Sequence, residues 1–256
     1  MINPGQFVLE LVLVVAALAL SHWLPSTRHP RFVVVFSCLT GIVNAVFYYV
    51  VAGPLLLARG FDRSVLATTV TVEMVRWGIL AFVLGRLAVR LQDGGLTSGF
   101  NLLRSPSRLP RDLAFGTAAG VVASIAMYAL SYIELHLGYL EALPWPGANG
   151  EALDLRLAIG AGFRNLVGEE IFARLGAQSV VLYVFRRWRY GSPLAVIASS
   201  LYFELWHNPF EAPQFLNFTG SCVFGWVYQK RGYESAAVAH CVADWLVLAI
   251  LPLALF

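Results

Sequence analysis

Asn165-Leu166-Val167-Gly168-Glu169-Glu170-Ile171-Phe172-Ala173-Arg174 decides the fold. It sets two adjacent carboxylates and an arginine inside a run otherwise apolar enough to cross a bilayer. An ionisable side chain at membrane depth is costly and marks a functional site by default, with a partner to be found. The candidate partners are His207, His240 and Asp244, each on a different apolar segment.

Working outward, 58% of the 256 residues are hydrophobic and 13% are charged, and the mean hydropathy is +0.68. Soluble domains run near a quarter charged, so the composition is that of a membrane protein. The expected fold is all-α, a polytopic bundle of about eight transmembrane helices forming a single transmembrane domain over 1–256. N-terminal helices occupy about 1–137 and a motif-bearing core about 155–255. The net charge of +3 comes almost entirely from arginine, with Lys230 the sole lysine. The arginines are scattered between apolar runs, which suits lipid headgroups and not nucleic acid. Cys38, Cys222 and Cys241 lie in apolar stretches and read as small core residues, not as a disulfide framework. No basic residue precedes the first apolar run, so that run reads as a retained helix and not as a cleavable signal.

A spanning helix needs about 20 mostly apolar residues. The expected helices are about 6–24, 32–57 (with a kink or an end near 52), 64–91, 113–137, 155–186, 193–207, 213–229 and 234–255. The sixth is stopped by Asn208-Pro209. Glu73 and Arg76, at i and i+3, form a structural ion pair. Basic residues concentrate in the odd-numbered loops, at Arg28 and Arg31, at Arg90, Arg104, Arg108 and Arg111, at Arg186, Arg187 and Arg189, and at Lys230 and Arg231. The even-numbered loops carry only Arg59 and Arg63. The positive-inside rule then places both termini outside, with eight crossings, in a multi-pass cell-membrane protein. At about 1.5 Å per residue, Glu169 and Glu170 fall near mid-bilayer, and His207, His240 and Asp244 at compatible depths.

Helical spacing sorts the roles. Glu170 and Arg174 are one turn apart and can pair. Glu169 is rotated from Glu170 by about 100° and is free to face elsewhere, as the candidate general base. Phe203 lies one turn before His207 and can pack on its ring. Asp244, one turn after His240, can accept from one imidazole nitrogen and fix the tautomer, leaving the other for a developing oxyanion. The assembled chemistry is amide hydrolysis by an activated water, with no covalent intermediate, metal or cofactor. Each feature taken alone also has a structural reading: an intrahelical pair, a helix-end histidine, a buried hydrogen-bonded pair between helices. Glu10, Glu134, Glu204 and Glu211 take no role, with Glu134 and Glu211 expected at interfacial or loop positions.

Glu169-Glu170-x-x-x-Arg174, Phe203-x-x-x-His207 and His240-x-x-x-Asp244, in that order, resemble the three motifs of the CAAX protease and bacteriocin-processing family (CPBP or ABI). The run from Gly220 to Asp244 is similar to that family's approach to its last motif, and the resemblance covers about 160–248. It implies an intramembrane glutamate-type endopeptidase in which Glu169 and His207 activate water and His240 with its i+4 partner stabilises the oxyanion. The eukaryotic relative, which trims prenylated proteins, has Asn where this chain has Asp244. Size and the lack of an organelle sorting signal suit the prokaryotic branch, where the peptide or protein substrate need not be lipidated. Three rivals stand beside this reading. They are a zinc enzyme using the same donors, a rhomboid-like dyad of Ser221 and His240, and a non-catalytic bacteriocin-immunity or peptide-binding protein.

Overall fold

The computed structural model describes residues 4–58, 60–140, 160, 162–164, 168–207 and 215–250. The expected loop at 138–154, the start of the fifth helix, the Asn208-Pro209 stop and Glu211 lie wholly or mostly outside the described residues. Among the described residues the chain is a helical bundle without strands. Its helices are α1 (Pro4–Trp23), α2 (Pro30–Phe47), α3 (Gly53–Ala58), α4 (Arg63–Asp93), α5 (Asn101–Arg104), α6 (Leu109–His136), α7 (Ser179–Val184), α8 (Gly191–His207), α9 (Phe215–Arg231) and α10 (Tyr233–Trp245).

α1 shows how such a bundle is held. Its Phe7, Val8, Leu11, Val12, Val15 and Leu18 are exposed, while Glu10, Leu13, Ala17 and Ser21 are buried. Apolar side chains face out and the one carboxylate faces in, the reverse of a soluble amphipathic helix and the arrangement lipid favours. Pro4–Trp23, Pro30–Ala58, Pro106–His136 and Tyr233–Ile250 are long and apolar enough to cross a membrane, and Ile171–Val184 is a shorter apolar helix. The sequence expectation of eight crossings thus meets, among the described residues, four helices that qualify by length and composition. α4 is long, but Glu73, Arg76, Arg86 and Arg90 interrupt it, and α8 and α9 have 17 residues each.

Three departures from regular α-helix matter. Tyr48–Ala52 is a π-helical turn between α2 and α3, where the sequence called for a kink. Leu246–Ile250 is π-helical at the end of α10. The third is the eight-residue π-helix Ile171–Gln178, which begins immediately after the two glutamates. The sequence reading had a continuous helix to Arg186; α7 ends at Val184, and Phe185 leaves the helical region. π-helical turns are uncommon and concentrate at functional sites.

α2 packs along α4, and α6 packs along both α9 and α10. α1 and α4 close over the π-helical segment, which α8 covers from another side. The α6–α10 contact uses small residues. A Cβ on Gly116 would run into the Ser235 carbonyl, and one on Gly120 into the Ala239 carbonyl. Two glycines four apart let the backbones touch, as in membrane helix pairs generally, and the contact presses α10 into place next to His240. Gly232, with φ +82°, makes the sharp turn from α9 to α10. The 93–101 loop docks on that turn. The backbone amide of Tyr233 donates to the Gly99 carbonyl at 2.7 Å, and Glu234 accepts from the amides of Asn101 (2.8 Å) and Leu102 (2.9 Å), capping α5. Glu134 lies in the last turn of α6, where it accepts from the Phe215 amide at 3.0 Å and caps α9. Of the cysteines only Cys241 is buried; Cys38 faces outward.

Candidate active site

The two neighbouring glutamates part company at once. Glu170 is fully buried and receives Arg174 Nε on Oε2 at 3.1 Å. The other two guanidinium nitrogens are hydrogen-bonded as well. Nη1 reaches Gln178 Oε1 and Ser199 Oγ, both at 3.3 Å, and Nη2 reaches Ser221 Oγ at 2.7 Å. Gln178 is fixed in turn by donating to the Gly225 carbonyl at 2.9 Å. Gly225 is needed there, because a Cβ would sit 3.0 Å from Arg174 Nη1. A buried guanidinium with an anionic partner and satisfied donors is the condition under which such a charge is tolerated.

Glu170 also accepts from His240. Its Oε1 lies 3.0 Å from His240 Nδ1. A carboxylate already paired with arginine accepts, so Nδ1–H donates and the tautomer or charge state of the ring is set from this side. Asp244 Oδ1 lies 3.7 Å from Nε2, within electrostatic range and beyond a hydrogen bond. This revises the sequence expectation that Asp244 orients His240: Glu170 makes the orienting bond, from another helix. Phe224 stacks on the His240 ring at 4.6 Å, and Phe203 meets it edge-on at 5.7 Å.

Glu169 turns the other way, to α8. Its Oε2 is 3.2 Å from His207 Nε2. His207 Nδ1 faces the Phe203 carbonyl at 3.0 Å, an acceptor only, so Nδ1 carries its hydrogen. Nε2 and Glu169 Oε2 can then sit 3.2 Å apart only with one proton between them. Phe203 packs on the His207 ring at 4.3 Å, as its i to i+4 spacing indicated. The structure therefore brings Glu169 to His207 and Glu170 to both Arg174 and His240, with the Phe203 ring touching both imidazoles. Exposure differs across the pair: the side chains of Glu170 and Arg174 are 0% accessible, that of His207 28%.

Sequence reasoning missed Arg164, whose Nη1 stands 3.9 Å from Glu169 Oε1 and whose guanidinium lies over the Phe47 ring. Its signal was present, an arginine in an apolar run five residues before Glu169. Glu10 was also missed. It is buried, receives Arg76 Nε at 2.9 Å and Trp206 Nε1 at 3.1 Å, and joins the expected Glu73–Arg76 pair. Ser221, one half of the rhomboid-like rival, is held by Arg174, and both nitrogens of His240 face carboxylates. Among the described residues no three His, Cys, Asp or Glu side chains converge as metal ligands do. A groove of about 830 Å³ runs past Tyr49, Pro54, Arg63, Leu66 and Val70, and its lining contains none of the site residues.

A family comparison bears on the same part of the chain. Residues 151–246 match the family model for the Rce1-like type II CAAX prenyl endopeptidases. This part of the chain is thus similar to that family. The Rce1-like segment spans both glutamates, His207, His240 and Asp244, and leaves α1 through α6 outside it. It supports a membrane endopeptidase, hence a hydrolase acting on a peptide or protein. No curated protein and no solved structure matches the chain.

Proposed function

We propose that the protein is an intramembrane glutamate-type endopeptidase that cleaves its substrate with a water activated by Glu169 and His207. The single observation that carries this reading is the 3.2 Å approach of Glu169 Oε2 to His207 Nε2, at the accessible edge of an otherwise buried polar cluster. Glu169 takes a proton from the water as the hydroxide oxygen bonds to the scissile carbonyl carbon. His240, anchored through Nδ1 by Glu170, turns Nε2–H from Asp244, 3.7 Å away at rest, toward the oxyanion. As the C–N bond breaks, the amine nitrogen takes a proton from His207, which Glu169 replenishes across their shared contact. The products are a carboxylate and a protonated amine, the new acid's proton passing to the amine, and water is the only reagent consumed. Arg164 lies beside Glu169, with Nη1 3.9 Å from Oε1.

The site would act on an extended peptide at the membrane. The family name points to prenylated carboxy-terminal peptides. An unlipidated peptide is equally compatible with the same chemistry. The test is purified protein in detergent against paired lipidated and unlipidated peptides, wild type beside Glu169→Gln and with a chelator present. Cleavage by wild type alone, unchanged by chelation, supports the reading. Equal cleavage by both proteins rejects Glu169 as the base, loss on chelation favours a metal enzyme, and no cleavage of any peptide favours a binding role.

A further inference from the structure

α1 lies outside the Rce1-like segment, yet it grips the helix that carries His207 at two successive turns. The Tyr202 hydroxyl donates to the Leu9 carbonyl. One turn on, Trp206 Nε1 donates to Glu10 Oε1 at 3.1 Å, with Trp206 2% and Glu10 4% exposed. Glu10 is itself clamped by Arg76, which donates through Nε at 2.9 Å and through Nη2, and Arg76 also holds Glu73 at 3.0 Å. Trp206 precedes His207, and their rings meet nearly at right angles with centroids 4.9 Å apart. On its other side Trp206 packs against Phe172 at 5.3 Å, and Phe172 also stacks on Tyr202 at 5.3 Å. Phe172 is three residues beyond Glu169 on the same helical segment.

A closed circuit results. Glu169 and His207 meet at one end, and the segments bearing them are wedged together by Phe172, Tyr202 and Trp206 at the other. α1 fixes the rotation and height of the wedge. A carboxylate buried in lipid-enclosed protein is costly, and an apolar side chain would pack there more cheaply. We propose that Glu10, acting through Trp206, is a positioning residue that sets the register between Glu169 and His207, so that α1 is a working part of the site. This inference rests on the protease reading above. A carboxylate and an imidazole that must share one proton and one water tolerate little misplacement, and shifts near 1 Å can cost about a hundredfold in rate.

The experiment is steady-state cleavage of a peptide substrate by the full-length protein in detergent. It compares wild type, Trp206→Phe, Glu10→Leu, Glu10→Gln and the double variant Glu10→Leu/Trp206→Phe, with thermal unfolding of each. Trp206→Phe removes the indole N–H and keeps a ring on Phe172, so it carries the test even where Glu10→Leu fails to fold. The expected result is a fall in kcat of about tenfold to a hundredfold for Trp206→Phe and Glu10→Leu, with KM within about twofold. Glu10→Gln, which keeps an acceptor for the indole, retains most of the rate, and the double variant is no worse than either single one. A lowered melting temperature with unchanged kcat, or effects that multiply in the double variant, overturns the inference. Glu169→Gln is run alongside. Should it keep full activity, the protease reading falls and this inference with it, a failure told apart from the first by which variant retains its rate.

Discussion

The two halves of the buried polar cluster are built from the same residue types and differ in what reaches them. Around Glu170, Arg174, Gln178, Ser199 and Ser221 every side chain is essentially sealed, and each guanidinium nitrogen is hydrogen-bonded within the protein. Around Glu169, His207 and Arg164 the ion-pair distances among the described residues are 3.2 and 3.9 Å, and the His207 edge is accessible. The sealed half does the work of a scaffold, holding His240 by one nitrogen, and the open half has capacity left for a reactant. The lesson lies in two consecutive glutamates. Rotation by one helical position separates a carboxylate bound into a sealed network from one that meets a partly accessible histidine, and it is the second to which we assign the catalytic role.

That contrast can be broken or sharpened by substitution. Glu169→Gln should lower cleavage by about a thousandfold or more, roughly what positioned acid–base catalysis supplies, with an unfolding temperature near wild type. A large loss of stability there would erase the distinction between the halves. Arg174→Met strands Glu170 without its cation and should cost about 3–5 kcal/mol in unfolding experiments, with activity lost through folding. Ser221→Ala removes one charge-assisted bond and should cost about 1–3 kcal/mol while per-molecule activity persists, whereas a serine nucleophile there would make that variant inactive. Asp244→Asn should have the smallest effect, a change of a few fold in rate, because the bond that orients His240 comes from Glu170. A drop as large as that of Glu169→Gln would move Asp244 into the catalytic set.

What could be read from the sequence follows physical range. Contacts within one helix were legible from spacing, since side chains three or four apart share a face whatever surrounds them. Glu170–Arg174 and Phe203–His207 are of this kind, and both pairs are in contact. The bundle itself was legible from composition. Contacts between helices were not legible from spacing; the approach of Glu169 to His207 was anticipated only through depth and the motif resemblance. Glu170 to His240, Arg174 to Ser221 and Glu10 to Trp206 join residues 70, 47 and 196 positions apart. Spacing carries no information at such separations, and the i+4 pairing of Asp244 with His240 drew attention from the shorter bond. The π-helix at Ile171–Gln178 escaped notice because its residues have ordinary helical propensities and tertiary packing sets its wider turn. Glu10 and Arg164 were detectable in principle, since the reasoning that singled out Glu169 applies to any charge in an apolar run.

The account turns on a water shared by Glu169 and His207. The most direct measurement is an experimental structure in a lipid nanodisc with a phosphinic peptide, whose tetrahedral phosphinate stands in for the hydrated amide. The account expects one phosphinyl oxygen within hydrogen-bonding distance of both the Glu169 carboxyl and His207 Nε2, and the other directed at His240 Nε2. A phosphinate seated away from these side chains, or a Glu169 turned to lipid in the bound state, would contradict it.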